Sequence, residues 1–595
     1  MVECVDCSVD ECMLDGATDL TGYRKKIFDL RYAFDENEKL WETACKRVAK
    51  AVGLREDEKV IAEFEKIMTN SLFIPGGRVL RNASRNKGML INCYALGVED
   101  NIVSIGDLYG ESLIVSAAGG GIGVNFSNLR PEGAPIRGKE SCSSGVVSFM
   151  KALNAVLSTV ELGGQRRAAC IGILRIDHPE IYKFIRSKVK EGELQNFNIS
   201  IGITDKFLKA VKNHQDWDLI FKNKVYKTVK AVDLWSYIVK NLWNCGDPGL
   251  INLDTIARFN PLWYVHDVYT LNPCGEIPLP VYGSCCLGSI NLSEMYDEKT
   301  SDVDWNKLDH TIGLAVRFLD DVLDVSHYPL STIELNSHQT RQIGLGVMGL
   351  HYLMLKMGIE EYGSEKSLEF MDSLFLNIRD YAYNASIGLA RERGSFEKFN
   401  AEKHLEGEFV KRLPRRIRSG IKKHGLRNGT ILSMQPTGTT SIVAGVSNGV
   451  EPIFCPIYKR YYNANSNDGE TEMASVVEMD ELFREKIIKG EPHEYFVGGY
   501  DISPREHMEV QITAQQYIDS AISKTILLKK DFPCNELGGL LLEHLHEVKG
   551  VTMYREGSKI QEILIPMDYK LSESQLLKIA NGGSDKDENC NIDNE

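Results

Sequence analysis

Residues Leu271 to Leu292 read LNPCGEIPLPVYGSCCLGSINL. Pro273, Pro278 and Pro280 forbid a helix interior, so the chain here is extended or looped. In an extended chain side chains alternate, and Asn272, Cys274 and Glu276 at i, i+2 and i+4 then point the same way. That places an amide, a thiol and a carboxylate in one cluster. A Pro-rich loop with one buried Cys and a turn-forming Asn explains the same spacing equally well.

Outward from this stretch the pattern alternates between helix and strand. Leu40, Ala44, Val48 and Val52, then Ile61, Phe64 and Ile67, predict a helical N-terminal region. Ser144 is a candidate cap for a helix carrying Val146, Phe149, Met150, Leu153, Val156 and Leu157. Ile312 to Leu323 marks another helix. Leu368, Met371, Phe375, Ile378, Ala382, Ala385 and Leu389 predict a longer one stopped by Gly394. Apolar runs at 171–176, 197–203, 250–253 and 430–434 read as strands covered on both faces. The alternation implies α/β, with no internal repeat, low-complexity linker or Pro-rich spacer.

The chain has 595 residues, 43% hydrophobic and 26% charged, with 51 Gly and 18 Pro. These are globular values, which exclude collagen-like, coiled-coil-only and disordered classes. Lys plus Arg number 69 against 83 Asp plus Glu, a net charge of −14 without a basic stripe, so no nucleic-acid surface is expected. The apolar stretch from Leu113 to Phe126 is broken by glycines and too short to span a bilayer, so no membrane association is expected. The start, MVECVDCSVDEC, lacks the basic flank and apolar core of a signal peptide, and a cytoplasmic location is expected. Fourteen cysteines in so long a chain are not a disulfide scaffold. Cys45, Cys170, Cys245 and Cys455 lie in apolar patterns and read as buried hydrophobes.

Further motifs stand in order along the chain: PGGR from Pro75 to Arg78, NCY from Asn92 to Tyr94, and GGGIGVNFSNLRPEGAPIRG from Gly119 to Gly138. GGQRRA follows from Gly163 to Ala168, then DHP from Asp177 to Pro179. Downstream come QPTGTTSIVAGVSNGVEPIF from Gln435 to Phe454, SKTI from Ser523 to Ile526 and KGVTMYREGS from Lys549 to Ser558. With NPCGE and Cys285 eleven positions after Cys274, this series resembles the ribonucleotide reductases over roughly residues 25 to 565. The glycines from Gly119 to Gly123 lack the last Gly and the acidic partner of a dinucleotide fingerprint, and read as close backbone packing.

The resemblance implies a ten-stranded α/β barrel with a central catalytic finger loop, behind a small helical N-terminal region. It divides the chain into a Cys-containing tail (1–24), the helical region (25–88), the catalytic barrel (89–568) and an acidic C-terminal tail (569–595). It implies that Cys274 becomes a thiyl radical, that Glu276 handles the 3′-hydroxyl proton and that Asn272 holds the reacting hydroxyl. Cys93 and Cys285 match the family's reducing pair, with Cα atoms within about 7 Å of each other. Cys286 is the lesser partner. Pro436, Thr437, Gly438, Thr439, Thr440 and Ser441 form a candidate cradle for the substrate phosphates. A Thr-rich turn is the plainer interpretation of that cluster.

Side chains alone do not generate a radical, so a cofactor is required. Relatives served by a separate metal-containing subunit carry two adjacent tyrosines where this chain has Thr552, Met553, Tyr554 and Arg555. The wording of its motifs is closer to the adenosylcobalamin-dependent branch, and delivery by a partner subunit is the alternative. No resident metal is expected. Asp100, with Gly163, Gly164, Gln165, Arg166 and Arg167, matches the family's site for a deoxynucleoside triphosphate effector. The short interval between them implies a homodimer rather than a monomer. A thioredoxin-like reductant is implied as well. Relatives reload the reducing pair from a C-terminal Cys pair, whereas this tail has Cys590 alone. Cys4 and Cys7 form a CxxC that is a candidate substitute, or with Cys12 an incomplete metal set, and an ordinary disordered terminus is the plainer interpretation.

Overall fold

The computed structural model describes residues 20–136, 141–160, 169–190, 192–465, 471–558 and 564–581. Its helical start follows from apolar spacing. Helix α1 (Gly22–Arg31) leads to α2 (Trp41–Val52), which buries Trp41, Ala44, Cys45, Val48 and Val52 along one stripe. Helix α3 (Glu58–Thr69) starts where Asp57 accepts the Val60 N–H. Phe64 of α3 packs edge-on against Phe318 at 5.2 Å, and Phe73 of β1 (Phe73–Pro75) meets the same ring at 5.4 Å. One aromatic cluster therefore docks the helical region on the strands that follow.

The barrel wall is made from β1, β2 (Cys93–Leu96), β3 (Gly121–Asn125), β4 (Cys170–Arg175), β5 (Phe197–Ile203) and β6 (Gly249–Asn252). It continues, after the finger hairpin of β7 (Thr270–Leu271) and β8 (Pro278–Leu279), with β9 (Ser284–Asn291), β10 (Ile343–Met348), β11 (Thr525–Leu528) and β12 (Gly550–Arg555). The ten-stranded sheet runs β1-β9-β2-β3-β4-β5-β6-β12-β11, with β10 beside β9. Strands β2 to β6 pair in parallel, as do β9 with β10 and β11 with β12. The two sets meet antiparallel at two seams, β9 against β2 and β12 against β6.

The run Thr430 to Met434, expected as a strand, makes only the parallel bridges Leu345–Leu432 and Met434–Ile522. Those bridges join β10 to the segment leading into β11 and so close the ring. The ladder is broken because the Asp519 carboxylate takes the Ile431 and Leu432 N–H groups, each at 2.9 Å. The other expected strands lie within one residue of their positions. Helix α4 (Ile102–Ala117) follows β2, and α5 (Val146–Ser158) covers the same side of the sheet. Ser144 does not cap α5. Gly145 holds the N-cap at φ +85°, and the Glu180 carboxylate accepts the Val146 N–H at 2.6 Å. Helices α6 (Trp305–Val325) and α7 (Glu365–Arg393, stopped at Gly394) bury the faces their periodicity marks. Among the described residues no helix is long and apolar enough to cross a membrane.

The finger hairpin lies inside this wall, with Leu271 opposite Pro278 and Thr270 opposite Leu279. It is held from several strands. Asn125 Nδ2 donates to Tyr269 O at 2.9 Å, Asn198 Nδ2 to Pro273 O at 2.9 Å, and the Ala521 N–H to Glu276 O at 2.8 Å. The glycines of β3 make the approach possible: a Cβ on Gly123 would fall 1.8 Å from Leu271 O, and one on Gly121 2.8 Å from Pro273 Cγ. Close backbone packing is thus the purpose of that glycine run. Gly123→Ala is expected to cost about 3 kcal/mol or more, because a backbone carbonyl cannot swing away, and chemical denaturation of the purified variant measures it.

Candidate active site

The finger tip is a tight turn, the looped of the two alternatives the prolines allow, with Asn272 as its turn-former. The Gly275 N–H bonds to Asn272 O at 2.9 Å with Gly275 at φ +80°, and Asn272 Oδ1 accepts the Ile277 N–H at 2.9 Å. Turning the chain splits the trio. Asn272 and Glu276 are buried inward, while Cys274 is exposed at the mouth of a cleft that Glu276 also lines.

Cys93 and Cys285 sit directly opposite each other on the antiparallel seam between β2 and β9. Facing residues of such a pair have Cα atoms about 4.5–5.5 Å apart, inside the range a disulfide bridges. Both are buried, at 3% and 0% exposure. Desolvation pushes both thiols well above their ordinary range, with the nearby Glu276 raising both further, so each keeps its proton at neutral pH. Asn272 Nδ2 lies 3.4 Å from Cys93 Sγ and ties the pair to the finger. Cys286 is buried in the main core, pairing across from Ile343 rather than from Cys93.

Burial also pushes Glu276 up to about 7, against a lowering hydrogen bond with Asn272. Among the described residues its Oε2 has no hydrogen-bond partner. A buried carboxyl that changes charge near neutrality, with one oxygen left over at a cleft, is suited to proton transfer with a ligand.

The cleft encloses about 400 Å³. Pro436, Thr437, Gly438, Thr439 and Thr440 form one wall, at the start of the short helix α8 (Thr440–Ala444). Thr437 stands at φ +51°, its Oγ1 accepting the Gly449 N–H at 2.8 Å, and nothing lies within 4 Å of a Cβ on Gly438. Ser441 is buried and bonded to Asn448 instead. The loop beyond is clamped by Glu451, which takes Lys524 Nζ at 2.7 Å and the Thr525 N–H at 2.6 Å, so the SKTI motif anchors the cradle. The opposite wall includes Arg31, Tyr32, Arg78, Arg81 and Asn92, with Tyr32 hydrogen-bonded to Thr439. Arg31, Tyr32 and Arg81 come from the helical region. Only long-range packing brings them here, and no spacing signals it.

Asp100 does not line this cleft. Burial works against its charge, but Arg130 Nε at 2.8 Å and Lys222 Nζ at 2.7 Å outweigh that and hold the carboxyl below its usual range. Gly163, Gly164, Gln165, Arg166 and Arg167 lie outside the described residues, as do Cys4, Cys7, Cys12 and Cys590.

Residues 91–554 match the family model described as ribonucleotide reductase, barrel domain. Over 526 residues the chain is 37% identical to the vitamin B12-dependent ribonucleoside-diphosphate reductase of Thermoplasma acidophilum, an alignment covering 85% of this chain and 66% of that one. It is 34% identical over 545 residues to the protein of the same name from Mycobacterium tuberculosis, covering 87% and 76% respectively. A ribonucleoside-diphosphate reductase subunit alpha from Chlamydia muridarum is 28% identical over 523 residues, covering 77% of this chain and 49% of the relative.

The raised Glu276 sets a sign for stability. The folded state holds this proton up to about 7 while an unfolded carboxyl releases it near its ordinary value of 4.5, so stability falls as pH rises through that window. Glu276→Gln removes the penalty. It is expected to stabilise the protein by up to about 3 kcal/mol at pH 8 and to change little at pH 4, as read by denaturant titrations at both.

Proposed function

The chain belongs to the ribonucleotide reductase family, and on that premise we propose that it reduces ribonucleoside diphosphates to 2′-deoxyribonucleotides, with adenosylcobalamin as radical source. The observation that carries the proposal is the finger tip: an exposed thiol and a buried carboxyl on one cleft, backed by two facing protonated thiols.

When bound, adenosylcobalamin supplies a one-electron oxidant able to take the hydrogen atom from a thiol. The residues fit such a group at the cleft mouth: Cys274 is exposed there, and the space beside Gly275 is open for 4 Å, so Cys274 and Gly275 would face it. Cys274, as a thiyl radical, takes the 3′ hydrogen of the ribose, and Glu276 accepts the 3′-hydroxyl proton and gives it back when the 3′ hydroxyl is restored. The 2′ oxygen leaves as water. Cys93 and Cys285 together give two electrons and two protons and end as a disulfide, and the 3′ hydrogen returns from Cys274. Asn272 keeps the finger turn and Cys93 in register, and its amide, beside Glu276, is the group that would hold the reacting hydroxyl. The Pro436 to Thr440 wall and the arginines opposite hold the diphosphate.

The assembly is proposed as a homodimer regulated by a deoxynucleoside triphosphate and re-reduced by a thioredoxin-like protein in the cytoplasm. Two cations converge beside Asp100, which suits a triphosphate. Helix α4 exposes Ile102 at 76%, Val103 at 68% and also Leu113 and Ile114, a surface for a second copy. Radical delivery by a separate subunit is not favoured. Tyr554 stands on β12 with Met553, not another tyrosine, before it.

The pure chain, assayed anaerobically with adenosylcobalamin, a dithiol and a ribonucleoside diphosphate, is expected to turn over without a second protein. Strict dependence on one would overturn the cofactor assignment. Cys274→Ser is expected to abolish turnover while nucleotide binding persists. Ile114→Glu is expected to shift sedimentation from dimer to monomer.

A further inference from the structure

A second cavity, of about 780 Å³, shares no lining residue with the finger cleft. Its volume is within the about 300–1,000 Å³ of small-molecule sites. Five of its lining residues are basic, Arg258, Arg379, Arg412, His546 and Lys549, against the single acid Glu547. Two of the cations are answered: Arg258 by Asp205, and Arg379 by Asp380. Arg412 and Lys549 have no ion pair among the described residues. Arg412 lies on the Phe259 ring at 4.1 Å, and Lys549 donates to the carbonyl of Asp519 at 2.6 Å.

Lys549 is 2% exposed, its amino group in a dry wall beside the Asp519 carboxylate. Burial pulls it down to about 7, with the Asp519 carboxylate opposing and Arg412 adding to the fall, so the two cations feel each other. A third feature is independent of charge. Gln515, at 7% exposure, donates through Nε2 to the carbonyls of Ile518 and Ser520, but its Oε1 is buried without a partner among the described residues. The occupant must therefore present an anion and also a hydrogen-bond donor.

We propose that this cavity binds a nucleoside phosphate, its phosphates on Arg412 and Lys549 and a donor of its base or sugar on Gln515 Oε1. The site is separate from the catalytic cleft and from Asp100, and it gives a role to Lys549, the first residue of the KGVTMYREGS motif. It does not depend on the reaction assigned above: loss of turnover in Cys274→Ser and loss of binding here are read separately.

Equilibrium dialysis of labelled ADP against the full chain tests it. Arg412 is exposed, so Arg412→Glu is expected to fold, and to lower the number of ADP bound per chain by one or to weaken one class of sites at least tenfold. Lys549→Met, where circular dichroism shows it folded, does the same. Pyrophosphate competes for that class and adenosine competes more weakly. Lys411→Glu, a neighbouring exposed charge already paired with Glu408, leaves the isotherm unchanged. Superimposable isotherms for the wild type and Arg412→Glu would refute the site. An equal loss in Lys411→Glu, which marks diffuse surface attraction, would refute it too.

Discussion

Two backbone pairs, Tyr94 with Ser284 and Cys93 with Cys285, do two jobs in this molecule. They join the parallel half that starts with β2 to the half that starts with β9, and they set two sulfurs face to face. Because β9 begins right after the finger hairpin, the same register also fixes where the finger enters the barrel. A slip of one residue would turn Cys285 to the opposite side of the sheet and open the wall. The Gly121 and Gly123 contacts with Pro273 and Leu271 then decide how deep the hairpin sits.

The dryness of that interior sets the chemistry. The largest cause throughout, removal of water, keeps the proton on Cys93 and Cys285 and lifts Glu276 toward neutrality. Cys274 differs because the turn at Gly275 carries it to the cleft mouth. One short loop thus presents a solvent-reachable sulfur on one side and water-excluded acids on the other, without any long-range electrostatic device.

Periodicity made α2, α3, α6 and α7 legible, down to the stop at Gly394, and the apolar runs located three barrel strands. What escaped was non-local. Ser144 has the right chemistry for a cap, yet Glu180, distant in sequence, takes the Val146 N–H. The Thr430 run lost its ladder to the Asp519 carboxylate. The finger trio was grouped by an extended-chain rule that Gly275 breaks by reversing the backbone. Cys245 sits in an apolar pattern but is half-buried, its sulfur bonded to Asn241 O. The pairing of Cys93 with Cys285 came from family likeness alone, since no local pattern encodes the register of strands so far apart. Arg31, Tyr32 and Arg81 reached the cleft through helix packing that a linear pattern does not carry.

The seam has a temporal consequence. A sulfur bridge between residues already opposed on paired strands forms without moving the backbone, so oxidation is structurally effortless. Its reversal is different, because both sulfurs are buried and a protein reductant reaches them only when the wall opens. A first round of chemistry on a freshly reduced chain can therefore be fast and every later one slow, its tempo governed by how often that wall breathes.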